Sequence, residues 1–374
     1  MFSDFDRSAM QRALELAARA LNSTDPNPRV GCVIAREGRI VGEGWHERAG
    51  EPHAEVAALR AAGPRAEGAS VYVTLEPCSH YGRTPPCVEA LRAAGVARVV
   101  YATADPNPQI NGQGAAALRA AGLAVEGGLL EDAARELNAG FIKRMRRGQP
   151  FVRVKLAMSL DGRTALANGA SRWISGEAAR ADVQHWRARS SAVVTGIGTV
   201  LADDPRLDVR LPQGELGGSS RQPLRVVLDA ALRTPPAARL LSTGGEVLIL
   251  TAAEALAGPR AAALTARGAR IESLPASGGR LLLSAVLQRL GALEINEALV
   301  EAGPTLAGEL LAQALADELL LYVAPKLLGP AARPLVALPE LKDLGDAPAF
   351  TLIESVQVGE DLRLRLRPRN GAAN

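Results

Sequence analysis

Three side chains of metal-binding type lie in the first quarter of the sequence: His53, Cys78 and Cys87. One imidazole and two thiolates bind a zinc ion through three ligands and leave a fourth tetrahedral position for water, which is the arrangement of a catalytic site. Zinc lowers the pKa of a bound water from about 15.7 to about 7. The three residues therefore predict a zinc ion that generates a hydroxide nucleophile at neutral pH.

Glu55 stands two residues after His53, at the start of a predicted helix, and can face the same cavity without binding the metal. A carboxylate in that position can carry a proton from the water to a ring nitrogen and then to a departing amine, a contribution of about 10²- to 10⁴-fold. His-x-Glu followed by Pro-Cys and a second Cys is the signature of zinc-dependent nucleobase deaminases. We therefore expect Glu55 to be the catalytic proton shuttle.

The spacing of the two cysteines departs from the common deaminase pattern, because eight residues separate Cys78 from Cys87 where that pattern has two. A structural zinc knuckle with His80 as its fourth ligand, or two ordinary buried thiols, are the alternatives. The inserted segment 79–86 resembles a loop of one group, the bifunctional riboflavin-biosynthesis deaminase-reductases. This resemblance favours the catalytic interpretation of the site.

The composition predicts a two-domain protein that acts on a small molecule. The chain has 374 residues, 47% of them apolar, which is enough for two cores. A net charge of +3 with both signs interspersed predicts neither a nucleic-acid nor a membrane partner.

Three cysteines, with Cys32 expected in a strand core, indicate a reducing compartment, and no apolar run approaches the roughly 20 residues of a membrane span. We expect a cytoplasmic protein; the sequence is also compatible with a homo-oligomer.

Strands alternate with helices in the first half of the chain, which predicts a cytidine-deaminase-like three-layer α/β/α sandwich. A rigid loop with two prolines presents Asn27 at the mouth of the first strand. Asn27 is either a turn-forming residue or, by resemblance to the deaminase loop that holds the pyrimidine ring, a substrate ligand. His46 belongs to no motif and is expected either in a loop or as a support behind a residue that binds the ligand. The predicted strands are 30–35, 39–44, 70–75, 98–103 and 123–126, and the predicted helices are 6–21, 53–63, 87–95, 114–121 and 131–147.

Gly148-Gln149-Pro150 is the candidate linker, so the predicted domains are 1–147 and 148–374. The second domain is expected to have a mixed sheet that ends in an antiparallel hairpin. Lys155 lies in the first strand of this domain. Its side chain faces a cavity, or, if the strand is at the edge of the sheet, the solvent. Ser175 is the expected N-cap of a helix over 176–189. The other predicted strands are 151–159, 192–195, 224–229, 247–251, 318–324, 350–355 and 362–366.

Two turns in the second half have the form strand, glycine turn, helix start: one at Gly196-Ile197-Gly198 and one that begins at Gly303. Free N–H groups at such a helix start favour an anion. A third glycine and a downstream ribose carboxylate, which a Rossmann unit requires, are missing. Two such turns in one domain nevertheless favour a nucleotide ligand.

Four motifs of the second half resemble the reductase half of the same riboflavin-pathway enzymes, whose fold is similar to that of dihydrofolate reductase. They are Val-Lys-x-Ala-x-Ser-x-Asp-Gly, Ser-x-Trp-Ile, Ala-Asp-Asp-Pro-x-Leu-x-Val-Arg and Glu-Ala-Gly-Pro-Thr-Leu-Ala-Gly. The fold implied is a dihydrofolate-reductase-like mixed-sheet α/β domain. Ala230 departs from the pattern, because relatives can carry a polar residue there near the cofactor.

The resemblance also implies ligands for both halves of the chain: one zinc ion in the first and NADPH in the second. Arg187 and Arg210 additionally suit a phosphate, which a guanidinium can bind through two hydrogen bonds. The implied NADPH contacts are Ala157, Trp173, Thr199, Asp203, Gly303, Pro304, Thr305, Leu306, Ala307 and Gly308. The implied substrate contacts are Asn27, Lys155, Ser171, Arg187, Leu207, Arg210 and Glu301.

The function that the resemblance implies has two steps. The first is hydrolytic deamination of 2,5-diamino-6-ribosylamino-4(3H)-pyrimidinone 5′-phosphate, and the second is reduction of its ribosyl group to ribityl by NADPH. One rival is a base editor of the tRNA type, which requires a basic surface with aromatic side chains; the chain has only 3% aromatic residues. The other rival is a zinc-stabilised protein that senses a flavin precursor without turnover.

Overall fold

The computed structural model of this chain describes residues 1–80, 85–108, 110–216 and 221–369. The chain divides into two compact units. Unit 1 comprises Met1–Gly148 and a short segment that begins at Gln213, and unit 2 comprises the remainder. Within the part of the chain that the structure describes, no helix combines the length and the apolar character that crossing a membrane requires.

Unit 1 is built on a sheet whose strands are β1 (Gly31–Arg36), β2 (Arg39–Trp45), β3 (Ser70–Leu75), β4 (Arg98–Thr103) and β5 (Ala124–Gly127). Their order is β2-β1-β3-β4-β5. Strand β1 runs antiparallel to β2 and β3, whereas β3, β4 and β5 are parallel. The predicted strands are confirmed with shifts of a residue or two at some ends.

Helices cover both faces of this sheet. Because side chains alternate along β1, Cys32 and Ile34 enter one apolar core while Val33 and Ala35 enter the other. The predicted α/β/α sandwich is confirmed, and Cys32 is a fully buried core residue. The helices are α1 (Asp4–Ala18), α2 (Ala54–Ala62), α3 (Cys87–Ala93), α4 (Gln113–Ala120), α5 (Glu131–Leu137) and α6 (Ala139–Arg147).

The single helix predicted over 131–147 is wrong, because Asn138 separates α5 from α6. The buried amide of Asn138 accepts a hydrogen bond from Arg29 N at 2.8 Å and donates one to Arg29 O at 2.8 Å. The Arg29 guanidinium donates to Leu137 O at 2.9 Å. These bonds satisfy the backbone N–H and C=O of Arg29 in the loop that enters β1. Asn138, which supplies two of them, is also the residue that interrupts the helix.

Unit 2 is built on a mixed sheet, flanked by two short two-stranded pairings. The strands of the unit are β6 (Phe151–Ser159), β7 (Arg163–Ala165), β8 (Ala192–Gly196), β9 (Leu224–Leu228), β10 (Val247–Thr251), β11 (Ala269–Ser273), β12 (Ala276–Ser277), β13 (Arg280–Leu281), β14 (Glu297–Glu301), β15 (Glu318–Ala324), β16 (Arg333–Pro334), β17 (Phe350–Val358) and β18 (Asp361–Pro368). The order in the main sheet is β11-β10-β9-β8-β14-β6-β15-β18-β17. From β11 to β15 the paired strands are parallel, and β17 and β18 form the predicted antiparallel hairpin.

For unit 2, the structure excludes one of the two alternatives for Lys155 and corrects the predicted N-cap. Lys155 is not on an edge strand, because β6 pairs with β14 on one side and with β15 on the other. The N-cap of the predicted helix is Gly176, not Ser175, and Gly176 N donates to the carboxylate of Asp361 at 2.7 Å. A side chain from the hairpin thus replaces the local cap. The helices are α7 (Glu177–Arg189), α8 (Ile197–Asp203), α9 (Pro259–Ala266), α10 (Leu283–Ala292) and α11 (Pro304–Ala312).

Replacing Asn138 tests how far unit 1 depends on the bridge to Arg29. Asn138→Ala leaves a buried N–H and a buried C=O of Arg29 without their partner, so we expect the free energy of unfolding of unit 1 to fall by about 1–3 kcal/mol. Scanning calorimetry of the full chain measures this loss. Asn111→Ala is the control, because Asn111 is exposed; equal effects of the two changes would contradict a special role for the bridge.

Candidate metal centre and ligand cavity

Unit 1 brings His53, Cys78 and Cys87 together, with one ligand atom of each lying within 4.8 Å of the other two. His53 Nδ1 lies 3.2 Å from Cys87 Sγ and 3.5 Å from Cys78 Sγ. A tetrahedral zinc ion with Zn–S bonds of about 2.3 Å and Zn–N bonds of about 2.0 Å separates its donors by about 3.5 Å. The donor types and their spacing therefore fit zinc.

Local backbone structure aims these donors at one point. His53 is the N-cap residue of α2 and its ring makes no capping hydrogen bond, so the ring is available to a metal. Cys87 is the first residue of α3, and its N–H donates to Cys78 Sγ at 3.3 Å. Hydrogen bonds from Cys87, together with His53, lower the pKa of the Cys78 thiol to about 4. A thiolate, the form that binds metal, is thus favoured at Cys78.

A fourth protein ligand is absent from this cluster among the described residues. His80 is exposed and does not join the three ligands. Residues 81–84 of the segment between the cysteines lie outside the described residues. The described ligand set is therefore that of an open, catalytic zinc site rather than a closed structural one.

Glu55 lies in the first turn of α2 and is buried, with only 4% of its surface exposed. Its carboxylate lies against the Cys87 side chain and therefore beside the ligand cluster. Burial, followed by the negative charge of Cys78, raises the pKa of Glu55 to about 7. The structure thus brings the predicted proton shuttle to the predicted metal ligands.

Asn27 is oriented by His46, a contact that the sequence did not predict. His46 Nδ1 lies 3.1 Å from Pro52 O and donates to it, so Nε2 accepts from Asn27 Nδ2 at 3.0 Å. Burial lowers the pKa of His46, which keeps the ring neutral for this role. The His46 ring also packs edge-on against the His53 ring at 5.4 Å. The Asn27 carbonyl oxygen is thereby left for a ligand beside the metal cluster.

The Cys78 segment is anchored by Glu76, which sequence reasoning also missed. The buried Glu76 carboxylate accepts hydrogen bonds from Asp105 N at 3.2 Å, Gly112 N at 3.0 Å and Ala115 N at 3.0 Å. It therefore ties the loop before α4 to the chain that leads to Cys78. A glutamate between a strand and a Pro-Cys pair is the signal that was available in the sequence.

Unit 2 contains a cavity of about 1810 Å³ at the carboxyl ends of its parallel strands. This exceeds the roughly 300–1,000 Å³ of a pocket for one small ligand, so a dinucleotide and a substrate can share it. Ala307 and Gly308 do not line it; both are buried in the packing of α11. The predicted residues that do line it are Lys155, Ala157, Ser171, Trp173, Arg187, Thr199, Asp203, Leu207, Arg210, Glu301, Gly303, Pro304, Thr305 and Leu306.

Three charged side chains meet at one end of this cavity. Arg187 binds Glu301 through two hydrogen bonds, Nε to Oε1 at 2.5 Å and Nη2 to Oε2 at 2.9 Å. Burial acts to raise the pKa of Glu301, but the charge and hydrogen bonds of Arg187 hold this pKa below its usual value. Burial lowers the pKa of Lys155, whose ammonium lies 5.8 Å from the centre of the Tyr322 ring. This cluster combines a proton donor with groups that can bind hydroxyls.

Beside that cluster, arginines converge on Asp208. Arg206 Nη2 and Arg210 Nη1 bind its carboxylate at 2.6 and 2.5 Å, and Arg187 Nη1 donates to its backbone oxygen at 3.1 Å. Asp208 is buried, and it was not among the predicted residues. The arrangement leaves a net positive corner, which suits a phosphate group.

The two predicted glycine turns are neighbours, because β8 pairs with β14. Gly303 N donates to Thr199 Oγ1 at 3.2 Å, which links the turn before α11 to α8. Gly303 is the N-cap of α11. The first-turn N–H groups of α11 therefore face the cavity beside Thr199, where they can bind an anion such as a pyrophosphate.

Sequence comparison assigns the two units to known families. The RibD C-terminal domain matches residues 150–364, and the cytidine and deoxycytidylate deaminase zinc-binding region matches residues 3–103. The riboflavin biosynthesis protein RibD of Escherichia coli is 51% identical, over 96% of this chain and 99% of that protein. The corresponding protein of Haemophilus influenzae is 48% identical, over 98% of this chain and 99% of its own length.

Solved structures agree with this assignment. The structure of Acinetobacter baumannii RibD in form 1 superposes with a TM-score of 0.90 at 47% identity and covers 98% of this chain and 99% of that one. The Thermotoga maritima diaminohydroxyphosphoribosylaminopyrimidine deaminase/5-amino-6-(5-phosphoribosylamino)uracil reductase superposes with a TM-score of 0.84 at 32% identity. It covers 97% of this chain and 99% of that one.

The ligand set of the metal centre can be tested by metal analysis of the purified chain. We expect one zinc ion per chain, and we expect Cys87→Ser to lose most of it because one of three ligands is removed. His80→Ala is the control and should keep its zinc, since His80 is exposed and outside the cluster. Zinc loss in His80→Ala, or full occupancy in Cys87→Ser, would contradict the open three-ligand site.

Proposed function

The chain belongs to the RibD family of riboflavin-biosynthesis proteins, and on that premise we propose which of its residues perform each reaction. It is a bifunctional enzyme: a deaminase of diaminohydroxyphosphoribosylaminopyrimidine and a reductase of 5-amino-6-(5-phosphoribosylamino)uracil. Its cofactors are zinc and NADPH. The observation that carries the assignment of residues is the meeting of His53, Cys78 and Cys87 beside the buried Glu55.

We assign deamination to residues 1–147 and reduction to residues 148–374. The boundary is supported by the two compact units, which separate between Gly148 and Gln149. All the proposed metal ligands and the shuttle precede it, and all the proposed cavity residues follow it. Because zinc binding requires Cys78 and Cys87 to remain thiolates, a reducing compartment such as the cytoplasm suits the protein.

In the deaminase reaction, water replaces an amino group of the pyrimidine ring and ammonia leaves. Zinc, when bound by His53, Cys78 and Cys87, supplies a Lewis acid that lowers the pKa of a coordinated water. Glu55 accepts one proton from the attacking water and delivers it to a ring nitrogen. It then passes the second proton of that water, from the hydroxyl added to the ring, to the departing amine. Asn27, held by His46, binds the ring and sets its distance from Glu55.

In the reductase reaction, a hydride adds to C1′ of the ribosyl group as the bond between C1′ and the ring oxygen breaks. That oxygen takes up a proton, so the ring opens to the ribityl chain. NADPH, when bound along the turn that begins at Gly303, supplies the hydride. Lys155 holds the ribosyl group and is the half-buried acid from which that oxygen can take its proton. The Arg187–Glu301 pair orients the hydroxyls, and Arg210 binds the phosphate.

Glu55→Gln tests the mechanism of the deaminase. The change keeps the size of the side chain and the zinc ligands but removes the titrating carboxylate. We expect deamination to fall by at least about 10², the lower end for a lost acid-base group, while zinc content, melting temperature and reduction of pre-deaminated substrate stay unchanged. Glu67→Gln, at an exposed glutamate of unit 1, is the matched control. Full deaminase activity in Glu55→Gln would remove this residue from the mechanism.

Arg210→Ala tests the phosphate corner of the reductase. Loss of a charge-assisted hydrogen bond should raise the KM for the phosphorylated substrate by about 10- to 100-fold, with a smaller effect on kcat. Deamination by the same variant should be unaltered. Arg260→Ala, an exposed arginine of α9, is the control. An unchanged KM in Arg210→Ala would place the phosphate elsewhere in the cavity.

A further inference from the structure

The cavity of unit 2 runs along the edge of the sheet where the parallel strands end. Neighbouring strands there follow the order β9-β8-β14-β6. Lys155 lies on β6 and Glu301 ends β14, so the reacting carbon of the substrate, on the function proposed above, lies at the β6 end. Strand β9 is three strand spacings away, about 14 Å, and the turn that follows it also lines the cavity.

A dinucleotide places its nicotinamide beside the reacting carbon and extends its adenosine away from it. If the nicotinamide lies at β6 and the pyrophosphate at the start of α11, which follows β14, the adenosine would point toward β9. NADPH differs from NADH only by a phosphate on the 2′-oxygen of this adenosine. A cation at the β9 end is therefore the group that can distinguish the two.

Most described arginines of the cavity wall already have a partner. Arg187 binds Glu301, and Arg206 and Arg210 bind Asp208. Arg172 donates to Asp203 O at 2.7 Å, Arg180 donates to Ser175 O at 2.7 Å, and Arg280 pairs with Glu309 at 3.9 Å. The guanidinium groups without a hydrogen bond or ion pair to any described residue are those of Arg233, Arg239 and Arg333.

Of these three, Arg233 is in the right place. Arg333 lies on β16, which pairs with β7 next to the end of β6, and so belongs to the substrate side. Arg239 has a carboxylate beside it already, because its backbone N donates to Asp204 Oδ1 at 2.8 Å. Arg233 lies in the turn after β9 and has no such competitor among the described residues.

The turn that carries Arg233 is held rigidly on both sides. The buried Asp229 carboxylate accepts hydrogen bonds from Thr234 N and Thr234 Oγ1, each at 2.7 Å. Leu232 is fully buried, and its N–H donates to Asp229 O at 3.1 Å. With both neighbours anchored inside, Arg233 is exposed on the cavity wall. A fixed backbone reduces the entropy that an arginine loses when it binds an anion.

We propose that Arg233 binds the 2′-phosphate of NADPH and gives the reductase its preference for NADPH over NADH. The guanidinium offers parallel N–H donors to the phosphate oxygens, the pairing that its planar shape favours. Sequence alone could not single it out, because no motif surrounds it.

Calorimetric titration of the full chain with NADPH and with NADH, in the absence of substrate, tests this assignment without relying on turnover. We expect Arg233→Ala to weaken NADPH binding by about 10- to 100-fold, the effect of losing hydrogen bonds to a charged group, and to leave NADH binding unchanged. Arg233→Lys keeps the positive charge, so its affinity for NADPH should lie between that of the wild type and that of Arg233→Ala. Arg333→Ala is the matched control, and should bind both dinucleotides as the wild type does.

Three results would overturn the assignment: an unchanged preference in Arg233→Ala, an equal loss for both dinucleotides, or a selective loss in Arg239→Ala instead. Reduction of the deaminated substrate by wild type with NADPH is measured in parallel. If the wild type reduces it while Arg233→Ala keeps the preference, only the role of Arg233 is wrong. If the wild type neither reduces it nor prefers NADPH, the proposed function of unit 2 fails as well.

Discussion

The backbones of helix α2 and strand β2 lie almost in contact, and the metal centre of unit 1 depends on that contact. A Cβ atom on Gly44 would lie 2.5 Å from Ala58 N and 2.7 Å from Ala54 O. No larger residue fits there unless the helix moves. Because His53 caps α2 and Glu55 lies in its first turn, the proposed metal ligand and the proposed proton shuttle would move with the helix. Glycine in β2 therefore sets the position of both groups relative to the cysteines.

Unit 2 positions its reactive groups by a different means, a network of buried ions. Arg153 is only 2% exposed and binds Glu297 and Glu318 at 2.9 and 2.6 Å. Arg189, at the end of α7, binds the same Glu297 at 2.8 Å, and Arg187 of that helix binds Glu301. Helix α7 is thus fixed to β14 at two points. Breaking a buried pair leaves an uncompensated charge and typically costs about 3–5 kcal/mol, so the network resists displacement of Arg187.

The sequence was most informative where local chemistry decides the structure. The cluster of His53, Cys78 and Cys87 with Glu55 beside it, and most strand boundaries, could be predicted because residue type and hydrophobic period are local signals. The predictions that failed were settled by distant partners: Asn138 interrupts a helix because it bonds to Arg29, and Gly176 is a cap because Asp361 supplies the carboxylate. The partner of His46 could not be predicted for the same reason, since only the fold brings His46 to Asn27.

The zinc site of unit 1 and the phosphate site of unit 2 also differ in how far a sequence motif can identify their residues. A zinc site of this kind needs cysteine and histidine, and the chain has only three cysteines and four histidines. A phosphate site needs an arginine or lysine, and the chain has 43. Arg206 and Arg210 share the single carboxylate of Asp208, which leaves their corner with a net positive charge, whereas Arg233 has no carboxylate partner among the described residues. The availability of a charge is a property of the folded chain, so anion specificity can be inferred only after every competing ion pair has been located.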